Sequence, residues 1–267
     1  MEITDNNLLS LYDHDQRIAM IYPEARKETF PPDLPPGMAP TLVRFIRPAP
    51  GMNMILYSRI DEANLDAVIA EQVGYFRPMG QPFEWIVYDQ DTPAGLKERL
   101  AAHGFQCAEP EPVLVLDLQQ APPLLLQPVT CDVRQVSGPE GLEDVIKVME
   151  QVYGGNFGWI RQRLGLHLQL PGYLSVYIAY EDGQPACAGW IYFLPHSHFA
   201  GLWGGSTVVA HRRKGLYTAV LAARVQEAVR RGTRYLTINA SDMSEPIVRK
   251  HGFRLLAMEH AYQYIQP

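Results

Sequence analysis

Short apolar runs alternate with stripes of apolar residues at helical spacing along this chain, and their order predicts its elements. Met54 to Ser58 is an apolar run of strand length. The stretch after it carries Leu65, Val68, Ile69, Val73 and Phe76 at the period of an amphipathic helix. A second strand is predicted from Phe83 to Tyr88 and a second helix from Thr92 to His103. Gly104-Phe105 then leads into the apolar strand Val113-Leu114-Val115-Leu116.

The second half is richer. A strand near Cys131 to Val136 precedes two helical stretches, Pro139 to Val152 and Trp159 to Leu170, the latter stopped by Pro171-Gly172. Two β runs follow, Leu174 to Tyr180 and Ala186 to Phe193, and Glu181-Asp182-Gly183-Gln184 between them reads as a hairpin turn. A third strand, Phe199 to Val209, leaves through a basic turn into a helix. That helix carries its stripe on Tyr217, Val220, Leu221, Val225 and Ala228, with Arg224, Glu227 and Arg231 largely off it. Gly232 ends the helix, Arg234 to Asn239 is a strand, and a short helix from Glu245 to His251 precedes a final strand, Phe253 to Ile265. Strands and helices mixed in this way predict an α+β chain built on a mixed sheet.

Proline marks the joints. One cluster lies at Pro31 to Gly37, and a second, QQAPPLLLQP from Gln119 to Pro128, reads as a linker. The expected division is residues 1–120, a linker at 121–128, and residues 129–267. Both halves close on one theme: His103-Gly104-Phe105 and His251-Gly252-Phe253 each end a helix and open a β run, a weak internal repeat.

Composition narrows the class. The 267 residues are 47% hydrophobic and 19% charged, those of a globular protein, and no apolar run reaches the roughly 18 residues of a membrane span. The acidic, polar N-terminal stretch is unlike a secretory signal, so a cytoplasmic protein without membrane association is expected. A net charge of −6 disfavours an extended nucleic-acid surface. Three cysteines, widely spaced and outside any C-x-x-C pattern, argue against a disulfide framework or a metal site and read as buried free thiols.

Against that acidic background the turn Arg212-Arg213-Lys214-Gly215-Leu216-Tyr217 stands out. It leaves a strand and enters a helix, whose first N–H groups have no intrahelical partner and sit at the positive end of the dipole. Gly215 allows a close backbone approach, and adjacent cations suit a diphosphate, to which arginine adds a forked contact. No G-x-x-x-x-G-K-S/T, G-x-G-x-x-G or H-E-x-x-H pattern competes, and Gly204-Gly205 reads as a strand bulge.

The turn resembles the R/Q-x-x-G-x-G/A cofactor loop of the GNAT (GCN5-related N-acetyltransferase) family, and the element order over 129–267 resembles that fold. Ser-Glu-Pro-Ile-Val-Arg-Lys-His-Gly-Phe resembles the family's late helix and Gly-Phe signature. The resemblance implies a tandem protein: a degenerate or partial GNAT-like copy over 1–120, without a basic glycine turn, and an acetyl-CoA-binding domain after the linker. It implies that Val208 and Val209 meet the pantetheine arm through their backbone, that residues 212–217 hold the pyrophosphate, and that Asn239 and Ser244 face the pantetheine from the other side. The implied activity moves an acetyl group from acetyl-CoA to a primary amine of a small-molecule or peptide acceptor, and the N-terminal part is expected to wall the acceptor pocket or to mediate homodimerisation.

Acyl transfer needs a neutral amine, a stabilised oxyanion and a proton for the departing thiolate. Where the family often places a tyrosine acid this chain has Val248, and at the last position of the turn it has Tyr217 where a small residue is usual. Tyr262 and Tyr264 on the last strand, or Tyr192 on an earlier one, are the substitute proton donors, and His198 or His196 the candidate base; Ser244, before Glu245-Pro246, also suits a helix cap. The valine favours an alternative, a non-catalytic acyl-CoA-binding or regulatory protein.

Overall fold

The computed structural model describes residues 5–33, 35, 38–49 and 51–265. They divide into two compact units, one running to Val113 and resuming at Leu255, the other covering Leu114–Arg254.

The first unit opens with helix α1 (Asp5–Tyr12), which continues as a π-helical turn over Asp13–Ile18. Burial of Arg17 on that turn is met by Asp91 (2.7 and 2.6 Å) and Asp13 (2.8 Å). Neither this helix nor the next two strands, β1 (Arg26–Phe30) and β2 (Leu42–Ile46), was expected from the hydrophobic pattern, which is short and charge-interrupted there. β2 pairs antiparallel with both β1 and β3 (Asn53–Ser58). Helix α2 (Leu65–Phe76) then crosses to β4 (Phe83–Tyr88), parallel to β3. Ile55, Ile69, Phe76, Phe83, Trp85 and Phe105 form the core, each worth roughly 1.5–3 kcal/mol of apolar burial. Helix α3 (Leu96–Ala102) stops where Gly104 takes φ 89° and the Phe105 N–H returns to the Leu100 carbonyl at 3.1 Å. Strands β5 (Gln106–Cys107) and β6 (Glu111–Asp117) follow.

From Leu114 the chain builds the second unit. The expected linker is packed there: it carries one helical turn, α4 (Pro123–Leu126), whose Leu125 is fully buried, and the Gln226 amide donates to the carbonyls of Leu125 (3.0 Å) and Gln127 (2.7 Å). Strand β7 (Val133–Gln135) and helices α5 (Leu142–Tyr153) and α6 (Trp159–Leu168) lead to the hairpin β8 (Leu174–Glu181) and β9 (Gln184–Phe193). Its tip takes φ of 50° and 75° at Asp182 and Gly183, which matches the twist of the two strands. Then come β10 (Phe199–Thr207), helix α7 (Leu216–Arg230), β11 (Tyr235–Asn239) and helix α8 (Glu245–Lys250). The strand order is β6-β11-β10-β9-β8-β7, with β10 and β11 parallel and the pairs from β10 through β7 antiparallel.

The two-residue period of β9 explains the layers. Cys187 and Ile191 point into one core with Val220, Leu221 and Val225 of α7, while Ala188 and Trp190 point into another with Val145 and Leu164 of α5 and α6. On α7 the buried surface is wider than its apolar stripe, because Arg224 and Glu227 are buried as well. Glu227 accepts from Ser175 (2.8 Å), Tyr177 (2.8 Å) and Arg231 (2.6 Å). Of the cysteines only Cys187 is buried, Cys131 being half-buried and Cys107 exposed.

After α8 the repeat returns: Gly252 takes φ 87° and the Phe253 N–H bonds the Val248 carbonyl at 3.2 Å. The strand that follows, β12 (Arg254–Tyr264), pairs antiparallel with β4, Glu259 opposite Tyr88 and Tyr264 opposite Phe83. From Leu255 it therefore belongs to the first unit, and the observed units differ from the division 1–120 and 129–267. A strand's unit is set by its ladder partner, which lies far away in sequence.

Candidate functional site

In the second unit β10 and β11 share a ladder for only three residues, Phe199–Gly201 against Tyr235–Thr237. Beyond it β10 also slips register with β9 between Trp203 and Ser206. Glycine makes the slip feasible. Gly204 has φ 63°, and a Cβ there would lie 1.9 Å from the Trp190 ring; a Cβ on Gly205 would lie 2.9 Å from Tyr217 Cε2. The bulge read from the sequence is thus present, and past it the final residues of β10 carry no ladder to β11.

Those residues lead through a 3-10 turn, Val209–His211, to the basic segment. Arg213 (φ 62°) and Gly215 (φ 82°) are both left-handed, and this turns the chain sharply into α7. Because the N-cap residue is Gly215, no side chain caps the helix, and its first N–H groups stay available. Helix end and strand end together border a cavity of about 410 Å3. Of the residues singled out above, Arg212, Arg213, Gly215, Leu216, Tyr217 and Ser244 line it.

The three cations of the turn play different parts. Lys214 bonds Glu181 at 2.9 Å, and His211 contacts the same carboxylate, so hydrogen bonds from Lys214 first and His211 second hold Glu181 below the usual glutamate range. Arg212 donates through Nε to the Thr207 carbonyl at 3.2 Å, with its guanidinium beside Met243. Arg213 has no ion-pair or hydrogen-bond partner among the described residues, leaving its charge to the cavity.

Several expected residues lie elsewhere. Val208 is buried in the core under α5, Val209 is exposed, and Lys214 and Asn239 do not line the cavity. Tyr262 and Tyr264 are buried in the core of the first unit, where the Tyr264 ring packs on Phe83 and Phe105. His198 stands before the start of β10, roughly 30 Å along the strand from Thr207 at about 3.3 Å per residue. None of these three side chains lines the cavity.

Other side chains do, and their sequence context marks them only weakly. Tyr153 ends α5 and its hydroxyl meets Ser206 Oγ at 3.1 Å; Thr207 Oγ1 meets Cys187 Sγ at 3.2 Å. Met243 and Ile247 add an apolar wall from α8 and the loop before it. Val248 points away, fully buried in the core with α7. The one signal for Tyr153 was its place before Gly154-Gly155, a helix stop beside a half-buried strand end.

No family model matches the chain, and neither does any curated protein sequence. Solved structures do. A GCN5-related N-acetyltransferase from Kribbella flavida superposes with a TM-score of 0.71 at 16% identity, covering 100% of this chain and 97% of that one. A tandem GNAT protein from the clavulanic acid biosynthesis pathway gives 0.65 at 12%, covering 99% and 96%. The chain has the tandem GNAT fold. A third GNAT structure, a GCN5-related N-acetyltransferase from Sphaerobacter thermophilus, gives 0.60 at 12%, over 84% of this chain and 76% of that one.

Within the tandem GNAT fold, strand–helix–strand β10-α7-β11 has a counterpart in β3-α2-β4, each with parallel strands. The two differ at the helix start. Where α7 follows Arg-Arg-Lys-Gly, α2 follows Ile60-Asp61-Glu62-Ala63-Asn64, two carboxylates and no glycine. Those carboxylates repel an anion that the α7 turn would attract.

Proposed function

We propose that the protein is an N-acetyltransferase that moves an acetyl group from acetyl-CoA to a primary amine of a small molecule or peptide, working through one site in the second unit. The observation that carries this reading is the uncapped start of α7, set beside Arg212 and Arg213 at a cavity that reaches the bulged end of β10.

The residues present suit an acyl-CoA. The N–H groups at the start of α7 and the guanidinium of Arg213 supply donors and charge for a diphosphate, and Arg212 adds a second cation. Along Gly205 to Thr207, β10 supplies backbone groups free of β11 for a chain of amides such as pantetheine. Met243 and Ile247 offer it an apolar flank. Acetyl-CoA contributes a thioester already activated toward amines. The protein's part is to hold the thioester against the bulge, where backbone N–H groups can meet the developing oxyanion, and to present the amine uncharged.

A second reading, a non-catalytic acyl-CoA-binding or regulatory protein, is favoured by the burial of Val248. Calorimetric titration with acetyl-CoA tests both, and a protein that takes up none at millimolar concentration sinks both. Thiol release with spermidine, glucosamine or a dipeptide bearing a free amino terminus separates them: release at least about tenfold above the rate with water alone establishes the enzyme, against the 10⁶-fold and larger accelerations common in catalysis.

A further inference from the structure

Two polar groups on one face of α7 are buried without a full complement of partners. The Tyr217 hydroxyl is enclosed and bonds no described residue. Arg224 is wholly buried and has no carboxylate partner among the described residues. Its Nε bonds the Val220 carbonyl (3.2 Å), its Nη1 bonds the carbonyls of Trp190 (3.2 Å) and Trp203 (3.4 Å), and its Nη2 bonds nothing.

The two heads converge on the bulge. Tyr217 and Arg224 are seven residues apart, two turns on the same side of the helix, and the Nε bond to Val220 shows the arginine folding back toward the helix start. Arg224 grips the carbonyl of Trp203, and two residues on Gly205 faces the Tyr217 ring closely enough that a Cβ would be 2.9 Å away. A buried guanidinium without a carboxylate is costly unless an anion forms beside it. Burial above all holds the phenol protonated, Cys187 and Tyr153 adding to it, and Arg224 is the charge that opposes the effect. The other titratable groups acting on Tyr217 are Cys187 of β9 and Tyr153 of α5; on Arg224 they are Tyr217, Cys187 and Tyr177 of β8.

We propose that Tyr217 is the proton donor to the departing thiolate and that Arg224 is the positioning residue that stabilises the phenolate left behind. This rests on the acyl-transfer reading. Attack by the amine nitrogen on the thioester carbonyl carbon forms the C–N bond and moves the carbonyl π pair onto oxygen. Collapse restores C=O and breaks C–S, the sulfur leaving with the bonding pair and taking the Tyr217 proton to give the free thiol. The surplus proton on the former amine passes through water to the phenolate, restoring the enzyme. Tyr153 suits the role less: its hydroxyl is engaged by Ser206, and its side chain is 58% exposed. At position 248 the valine offers no proton.

The decisive comparison is Y217F against wild type with acetyl-CoA and the best acceptor of the amine panel. Loss of a positioned acid is expected to lower kcat about 100-fold or more, with KM for acetyl-CoA changed less than about threefold. The deficit should shrink at least about tenfold with the selenoester analogue of acetyl-CoA, whose less basic selenolate departs without a proton, a response that misfolding or lost packing would not give. R224K, which keeps a cation, should retain more activity than R224M. Y217F that binds CoA and turns over at the wild-type rate overturns the proposal, as does a deficit equal for both donors, or the same losses in Y153F instead. Equal activity in R224K and R224M removes Arg224 from it. Failure of the wild type to bind acetyl-CoA would instead remove the acyl-transfer reading on which it rests.

Discussion

At the scale of single residues the site depends on how three neighbouring cations are divided. Lys214 and His211 are spent on Glu181, which ties the basic turn to the end of β8, while Arg213 keeps its charge available. This division makes a pH prediction. The Glu181 carboxyl has a folded pKa below its ordinary value, so its contribution to stability is present above that ordinary value and is lost as pH falls through the lowered one. E181Q is therefore expected to lower Tm relative to wild type at pH 7, with the difference fading in the acid range below pH ~4. Thermal melts at both values check it, and a difference that persists undiminished at low pH would contradict the assignment.

Elements carry the next level. The segment expected as a free linker contributes Leu125 to the α7 core and two carbonyls to Gln226. L125A should cost about 2–5 kcal/mol, as for other fully buried leucines, read as a lowered denaturation midpoint; a change below about 1 kcal/mol would return the segment to linker status. Strands and helices with long apolar periods, such as β4, β9 and α7, were legible from the sequence because burial on one face repeats at a fixed spacing. Others were not. The π-helical turn after α1 and strand β1 make charge-rich contacts such as Arg17 with Asp91 and Glu28 with Arg44, and in β2 that same Arg44 interrupts the short buried run Leu42, Val43 and Phe45, so no long apolar period is left to read. The basic turn was legible because glycine and cation are conspicuous in sequence. Tyr153, Ser206 and Met243 were not, because what makes them part of the site is the convergence of α5, β10 and the loop before α8.

For the whole molecule, the destination of β12 decides how two tyrosines are read. They were expected as substitute proton donors on the last strand, yet that strand pairs with β4, both are buried in the first unit's core, and the Tyr264 ring packs on Phe83 and Phe105. Y264F should accordingly leave acetyl transfer within about twofold of wild type, since the aromatic packing is kept and only a hydroxyl is lost. Y264A should destabilise the first unit by about 3–5 kcal/mol, as large aromatic truncations do. A Y264F protein with a large loss of kcat and unchanged stability would restore that tyrosine to the mechanism.

The register of β12 also bears on how the chain comes to be folded. Phe83 pairs with Tyr264, 181 residues later, so the first unit lacks a strand until the whole of the second has been synthesised. The usual order, in which an N-terminal domain folds while the next is still being made, is closed to it, and β4 waits with an open edge at roughly 5–20 residues per second of synthesis. Such long-range pairing is slow to close and exposed to aggregation meanwhile. In the second unit the strands from β7 through β11 pair with one another within Val133–Asn239, so that ladder has no such wait.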